Sequence, residues 1–211
     1  MTHRRGGPAR LGGQGFAIAA FVVAAVLVGS TPVGSPAAAR AADDTVRILL
    51  GPAGDLDPAS QGDIGSAAVT AQLFETLTAI DAQLQTRPAL AESWEFRDEG
   101  ATVVFHLRPG ISFSDGSPIT ADDVVRSWLR IIDPARPSPL VSLIGDVQGA
   151  LEYVRGAAGK EAVGLTVEDG AVVAHLTRPG TDFPTIVSGP TFAIVPPALN
   201  RGPAALGPGN G

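Results

Sequence analysis

The sequence of 211 residues contains no cysteine, and aromatic residues make up only 5% of it. A chain without cysteine forms no disulfide, so its fold depends on the burial of apolar side chains. Apolar residues make up 45% of the sequence, enough for one hydrophobic core or slightly more. Because a bacterial lipoprotein is attached to its lipid through a cysteine after the signal peptide, we expect no such anchor.

The N-terminal apolar run is also too short to cross a membrane comfortably. It occupies residues 16–28, which is 13 residues, whereas a helix that spans a bilayer takes about 20. Positive charge precedes the run at Arg4, Arg5 and Arg10, and small residues follow it as far as Ala41. This order is typical of a secretory signal peptide. We predict a signal peptide at 1–41, with retention of an uncleaved signal anchor as the alternative.

Negative charge predominates once the predicted signal peptide is set aside. Residues 1–41 hold four of the 15 Lys and Arg and none of the 21 Asp and Glu, so the remainder has 10 more acids than bases. A surface with this excess repels nucleic acid and anionic lipid. We therefore expect no nucleic-acid partner.

The sequence lacks the motifs of catalytic chemistry. It contains no G-x-S-x-G nucleophile motif and no G-x-x-x-x-G-K-[ST] phosphate loop. Of its three histidines, His3 falls in the signal region, and His106 and His175 have no second His or carboxylate at metal-ligand spacing. The sequence thus indicates no cofactor, no metal and no enzyme, with an enzyme kept as the runner-up class.

Local patterns in the first half predict a mixture of helices and strands. We predict a buried strand at 45–50, a helix from Ile64 with one inward apolar face, and a strand near 77–80. The proline in 87–94 suits the first turn of a helix, so we predict a single helical turn there. Alternation then predicts a hairpin that joins 94–96 to 101–107, with His106 facing solvent.

The second helix of this half has a clear start and an apolar stripe. Thr120 is a predicted N-cap, with Asp123 three residues on, and the stripe includes Trp128 and ends near Ile132. Because Trp94 and Trp128 each lie in an apolar stripe, we expect both indole rings to be largely buried.

The second half predicts a further helix and a second hairpin. The helix covers 147–154, and the hairpin joins 163–167 to 171–176. A helical turn at 183–187 and a strand at 192–195 complete the prediction.

Several motifs in the middle of the chain occur in an order typical of one protein family. They are LFETL at 73–77, RPALAESWEF at 87–96, VVFHLRPGISFSDGSPITADDVVRSW at 103–128 and LRIIDP at 129–134. Their order and spacing resemble the opening third of the family 5 extracellular solute-binding proteins, the oligopeptide- and dipeptide-binding receptors of ABC importers. The resemblance extends from about residue 46 to about residue 199.

The resemblance implies an α+β fold that is the N-terminal part of a two-lobed, type II periplasmic-binding-protein fold. Residues 42–80 would begin the first lobe, and residues 81–190 would form a small α+β subdomain of hairpins and helices inserted after the first strands. Residues 191–211 would form a partial return strand and a Gly/Pro-rich disordered tail. The second lobe would be absent, so we expect a fragment of a longer protein or a truncated gene.

The resemblance also implies where a ligand binds. The loop after LDP at 56–58, with Gly62, Asp63 and Ile64, corresponds to a segment that lines the ligand cleft and offers main-chain groups to a peptide. Gly62 stands where relatives have a glutamate, and Asp63 beside it is the alternative source of charge. Leu140 stands where relatives place an aromatic residue against the ligand. These four residues are the candidate ligand-binding residues.

The implied function is that of a substrate-binding component of an ABC importer for oligopeptides, dipeptides or similar solutes. The protein would capture its ligand as a monomer in the periplasm or outside the cell and deliver it to permease subunits in the cytoplasmic membrane. The alternative is a small secreted, non-enzymatic interaction module that reuses the α+β subdomain.

Overall fold

The computed structural model describes residues 54–201. The predicted signal peptide, the predicted strand at 45–50 and most of the predicted tail lie outside the described residues. Among residues 54–201, no helix combines the length and the apolar character that crossing a membrane requires.

The described chain begins with a helix and a small hairpin. Helix α1 (Ile64–Leu73) starts after Asp63, whose side chain accepts a hydrogen bond from the amide of Ser66. Strands β1 (Thr78–Ile80) and β2 (Thr86–Pro88) pair antiparallel. The predicted helix from Ile64 and the predicted strand near 77–80 are therefore confirmed.

The predicted inward face of α1 is wrong. The buried residues of this helix are Ser66 and Thr70, whereas Leu73, the last residue of the predicted apolar face within α1, is exposed. The helix packs against the 3-10 helix Pro190–Phe192, and small side chains allow two backbones to approach closely. The position of this distant contact, and not the apolar periodicity, decides which face is buried.

The prediction of a helical turn at 87–94 is also wrong. This part of the chain is extended, first as β2 and then as β3 (Ala91–Arg97). The amides of Ala89 and Ala91 both donate to the carbonyl of Leu77, at 3.1 and 3.0 Å. Proline fits an extended chain as well as the first turn of a helix, so the pairing with Leu77 determines the outcome.

A four-stranded antiparallel sheet forms one layer of the fold. Its strand order is β3, β4 (Thr102–Leu107), β6 (Ala171–His175) and β5 (Leu165–Glu168). The two hairpins, β3 with β4 and β5 with β6, confirm the predicted hairpins. The tight turn between β5 and β6 uses Gly170, whose φ of 80° is readily adopted by glycine.

Helix α2 (Ala121–Leu129) covers the core face of this sheet. Its N-terminus is a capping box, in which Thr120 accepts a bond from the amide of Asp123 and the Asp123 carboxylate accepts one from the amide of Thr120. The predicted cap is confirmed. The regular helix ends at Leu129, earlier than predicted, and Ile131 and Ile132 continue it with shorter-range turns that remain buried.

Trp128 lies in an aromatic cluster inside the core. Its ring makes edge contacts with Phe105, Phe183 and Phe192 at centroid distances of 6.1, 6.0 and 5.6 Å. Its indole Nε1 donates to the carbonyl of Phe192 at 3.0 Å, so the one polar atom of the ring is satisfied. Trp94 is only partly buried, contrary to the prediction, because β3 is an edge strand with a neighbour on one side.

Two short α-helices and a segment without a strand around Ile194 complete the described chain. Helix α3 (Ala150–Val154) confirms the C-terminal part of the helix predicted at 147–154, whereas Val147 forms a β-bridge with Leu176. Helix α4 (Phe183–Ile186) confirms the helical turn predicted at 183–187. The predicted strand at 192–195 is wrong. Phe192 ends the 3-10 helix Pro190–Phe192, and the amide of Ile194 bonds to a loop carbonyl, that of Glu75, instead of to a strand of the described chain.

Candidate functional site

The turn that precedes α1 is held by its own carboxylates. Asp55 Oδ1 accepts the amide of Asp57 at 2.9 Å, and Asp55 Oδ2 accepts the hydroxyl of Ser60 at 2.6 Å. Asp57 Oδ1 accepts the amide of Ala59 at 3.1 Å. Aspartate side chains that bond to backbone amides two residues on are typical of turns, so this local sequence sets the shape of the turn.

Two long-range contacts attach the turn to the rest of the fold. Arg130, just after α2, donates through Nη2 to Asp57 Oδ2, and the two side chains are only 14% and 5% exposed. Gln61 Nε2 donates to the hydroxyl of Thr191 at 3.0 Å in a buried position. The end of the turn is therefore fixed relative to the subdomain core. Sequence reasoning did not single out Arg130, although it belongs to the LRIIDP motif.

The candidate residues Gly62, Asp63 and Ile64 follow directly and are all exposed. We call them the 62–64 segment. No backbone hydrogen bond within residues 54–201 uses the amide or the carbonyl of Gly62. The side chain of Ile64 is 89% exposed, the highest value among the large apolar residues of the described chain. The segment thus presents unpaired main-chain groups beside an uncovered apolar side chain.

Asp63 is the N-cap of α1. Its Oδ1 accepts the amide of Ser66 at 2.9 Å and its Oδ2 accepts the Ser66 hydroxyl at 2.6 Å. These bonds, the one from the hydroxyl first, hold the pKa of Asp63 below its ordinary value. Asp63 is therefore a charged carboxylate that is committed to the start of the helix.

The structure places Pro139, the neighbour of the fourth candidate Leu140, close to this segment. A Cβ added at Gly62 would lie 3.2 Å from Cβ and Cγ of Pro139, the residue before Leu140. Leu140 is partly buried, and its amide donates to the hydroxyl of the buried Ser138 at 3.1 Å. The absence of a side chain at Gly62 allows the two candidate segments to meet. Their individual roles in binding stay predictions.

Two concave surfaces lie near the two ends of α1, and residues 62–64 line neither of them. A polar cavity of about 210 Å³ lies beside the turn and is lined by Asp57, Ala59, Ser60, Arg130, Asp133 and Arg136. A more apolar cavity of about 380 Å³ lies at the far end of α1, where Leu73, Phe74, Ile111, Phe113 and Ile194 contribute to its lining. Within the described part of the chain, no group of three His, Cys, Asp or Glu residues is placed to hold a metal ion.

The geometry of the 62–64 segment is suited to recognition of a ligand. Exposed main-chain groups can pair with the backbone of an extended ligand, which gives affinity with little dependence on side chains. Apolar side chains beside them add contact area.

Comparison with known proteins identifies the family to which the sequence is similar. Residues 85–208 match the family model described as "Bacterial extracellular solute-binding proteins, family 5 Middle".

Individual relatives agree with this match. The chain is 36% identical over 146 residues to the probable deoxycholate-binding periplasmic protein YgiS of Escherichia coli. The aligned residues cover 68% of this chain and 27% of that protein. It is 31% identical over 188 residues to the periplasmic oligopeptide-binding protein OppA of Escherichia coli. In this case the aligned residues cover 86% of this chain and 34% of that protein.

The fold is similar to solved structures of the same kind. The structure of the Escherichia coli murein tripeptide binding protein MppA matches with a TM-score of 0.71 at 29% sequence identity. The match covers 77% of this chain and 32% of that one. The mixed α/β arrangement is therefore part of the periplasmic-binding-protein fold, and the chain spans about a quarter to a third of the length of the relatives that it matches.

Proposed function

This chain belongs to family 5 of the bacterial extracellular solute-binding proteins, and we propose that it supplies one side of the ligand site of an importer's substrate-binding component. In this role the 62–64 segment and Leu140 contact a peptide or a related small molecule outside the cytoplasmic membrane. The ligand is then delivered to the permease subunits of an ABC importer.

The exposed 62–64 segment carries this proposal. Its neighbours are fixed by buried contacts, while Gly62 keeps its own main-chain groups unpaired and Ile64 keeps its side chain in solvent. A ligand that covers Ile64 would remove apolar surface from water, which contributes favourably to binding. The anchored neighbours and the unpaired main-chain groups of Gly62 therefore support binding at this segment.

The names of the relatives support a wider proposal about location and function. The relatives are named as binding proteins for an oligopeptide, a murein tripeptide and deoxycholate, and two of them are named as periplasmic. We propose an exported, non-enzymatic receptor that acts as a monomer, with residues 1–41 as its signal peptide. For the chain organisation we keep residues 42–80 as the start of the first lobe, residues 81–190 as the inserted subdomain, and residues 191–211 as the return segment and tail.

A titration followed by the amide signals of the isotope-labelled chain tests the ligand site. The probe is trialanine, whose backbone can pair with the segment and whose side chains are small. We expect shift changes concentrated at residues 62–64 and at Leu140. Because the segment is open to solvent, the affinity should be weak, with a dissociation constant of about 1 mM.

A matched pair of variants separates the segment from exposed apolar surface in general. Ile64→Ala should weaken trialanine binding about fivefold, since part of a buried isoleucine contact is lost. Leu84→Ala removes a side chain that is 81% exposed, close to the 89% of Ile64, at the tip of the β1–β2 hairpin. It should leave the affinity unchanged. Shift changes confined to other parts of the chain, or equal effects of the two variants, would contradict the proposal.

A further inference from the structure

The cavity of about 380 Å³ at the C-terminal end of α1 is separate from the 62–64 segment. Three parts of the chain contribute most of its lining: the end of α1 with the two residues after it, the loop 111–119 and the segment 194–198. Its volume falls within the range of small-molecule sites in proteins, about 300–1,000 Å³. We call it the apolar cavity, and it is large enough for a small organic molecule.

Hydrogen bonds hold the walls of the apolar cavity in place. The amide of Ile119 donates to the carbonyl of Ile111 at 3.1 Å and closes the loop 111–119. The amide of Ile194 donates to the carbonyl of Glu75 at 2.9 Å, which joins the segment 194–198 to the chain after α1. Because these bonds already order the walls, a ligand would not lose affinity by ordering them.

Apolar side chains form the inner surface of this cavity. Phe74 is 8% exposed and Ile194 is 3% exposed, while Ile111 and Phe113 are partly buried against the main core. Covering such a surface removes apolar area from water, which favours binding of a ligand with an apolar body. The aromatic rings of Phe74 and Phe113 are also groups that attract cations.

The charged side chains that line the apolar cavity are both acidic. They are Glu75 and Asp115, and no Lys, Arg or His is among the lining residues of the described chain. Glu75 is exposed, and its carboxylate has no hydrogen bond or ion pair within residues 54–201. Asp115 Oδ1 accepts the amide and the hydroxyl of Ser117 at 2.8 and 2.6 Å, and these bonds, the one from the hydroxyl first, hold the pKa of Asp115 below its ordinary value.

Two arginines bond to residues next to the lining, and both have partners in the protein. Arg126 donates to Asp123 at 2.7 Å and to the carbonyl of Val195 at 2.7 Å, so an acid already balances its charge. Arg108 donates to the carbonyl of Ala89 through Nε and Nη2, at 3.3 and 3.2 Å. Negative charge therefore remains in excess around the cavity when both arginines are counted.

We propose that the apolar cavity binds a small organic cation with an apolar body, such as an arylalkyl ammonium. The apolar body lies against the buried wall, and the ammonium group lies at the carboxylates of Glu75 and Asp115. This site is distinct from the 62–64 segment and does not depend on the function proposed for that segment.

The test compares three probes of similar size that differ in charge: 2-phenylethylammonium, 2-phenylethanol and 3-phenylpropanoate. Each is titrated into the isotope-labelled full chain, and we expect amide shift changes concentrated at residues 73–75, 111–119 and 194–198. The ammonium should bind with a dissociation constant of about 1 mM. The alcohol should bind about three- to fivefold more weakly, the effect of an exposed ion pair, and the carboxylate should bind more weakly still.

Three variants separate the charge from the apolar contact. Glu75→Gln should reduce the preference for the ammonium over the alcohol by about twofold or more. Glu92→Gln is the matched control and should leave it unchanged, because Glu92 is also exposed and without a partner in the described chain but does not line the cavity. Leu73→Ala shortens a lining side chain that is 42% exposed, so it should weaken the binding of all three probes by a similar factor.

Several results would overturn the inference. Equal affinities of the ammonium and the alcohol, tighter binding of the carboxylate, or equal effects of Glu75→Gln and Glu92→Gln would show that the acids do not select a cation. No shift at the cavity residues, with the ammonium at ten times its expected dissociation constant, would exclude the site. Shifts there that grow with protein concentration in the absence of a probe would instead identify a second copy of the chain as the occupant. The trialanine titration at residues 62–64 is unaffected by any of these results.

Discussion

Replacing Asp57 by alanine would leave the guanidinium group of Arg130 in a nearly buried position without its partner. The side chain of Arg130 is 14% exposed and that of Asp57 is 5% exposed, so water can compensate for little of the loss. Breaking a buried ion pair by removing one partner typically costs about 3–5 kcal/mol. Asp57→Ala also removes the acceptor for the amide of Ala59, which adds about 1 kcal/mol.

Further variants separate the contribution of the charge to stability from that of the hydrogen bonds. Asp57→Asn keeps the size of the side chain and an acceptor for Ala59, so it should destabilise less than Asp57→Ala but still by about 3 kcal/mol. Arg130→Ala leaves the carboxylate buried and should cost about 3–5 kcal/mol. The double variant should be more stable than the sum of the two alanine effects predicts, by about 2 kcal/mol or more.

Urea titration followed by tryptophan fluorescence measures these free energies of unfolding. Arg87→Ala is the control, because Arg87 pairs with Asp81 at 2.6 Å but is 59% exposed, and exposed pairs contribute at most about 1 kcal/mol. Losses below about 1 kcal/mol in both Asp57→Ala and Arg130→Ala, with simple additivity in the double variant, would refute the view that this pair anchors the turn.

Other predictions concern the core and α2, and the same urea titration measures them. Trp128→Ala should cost about 3–5 kcal/mol because it empties the aromatic cluster, whereas Trp94→Ala should cost about half as much, since this ring is only partly buried. Thr120→Ala should cost about 1 kcal/mol through loss of the N-cap. Burial raises the pKa of Asp123, but hydrogen bonds from Arg126 and Thr120 outweigh it and leave the pKa lowered. Its contribution to stability should therefore be complete above about pH 4 and decline as pH falls through the lower folded value, and Asp123→Asn should flatten this dependence; an unchanged slope would show that another group is responsible.

The elements that the sequence predicts correctly depend on neighbouring residues. The capping box at Thr120 and Asp123 forms within one turn of chain, and the two hairpins close through turns a few residues long. Such local patterns predict structure reliably because the interacting groups are close together along the chain.

The failed predictions each depend on a distant partner. Hydrogen bonds to Leu77 stabilise the extended conformation at 87–94, although the local sequence also suits a helical turn. Packing against the 3-10 helix Pro190–Phe192, more than 100 residues away along the chain, determines which face of α1 is buried. Trp94 lies in an apolar stripe as predicted, but the strand that carries it is at the edge of the sheet.

In the candidate site, too, local features can be predicted from the sequence and long-range contacts cannot. The shape of the Asp55–Asp57 turn can be anticipated from its aspartates and proline, whereas the 62–64 segment could be assigned only through resemblance to a family. No local pattern predicts that Gly62 meets Pro139 or that Asp57 pairs with Arg130, because both contacts join parts of the chain more than 70 residues apart.

One long-range contact and one local contact also order the exposed segment that we propose as a ligand site. On one side Gln61 is fixed by its bond to Thr191, and on the other Asp63 is fixed by its bonds to Ser66. The conformation of Gly62 is therefore determined by its neighbours, and its own amide and carbonyl are left unpaired within the described chain. Ordering a flexible loop would subtract from the affinity of any ligand. Because the segment is already ordered by the residues on either side of Gly62, a ligand at the proposed site would bind without that loss.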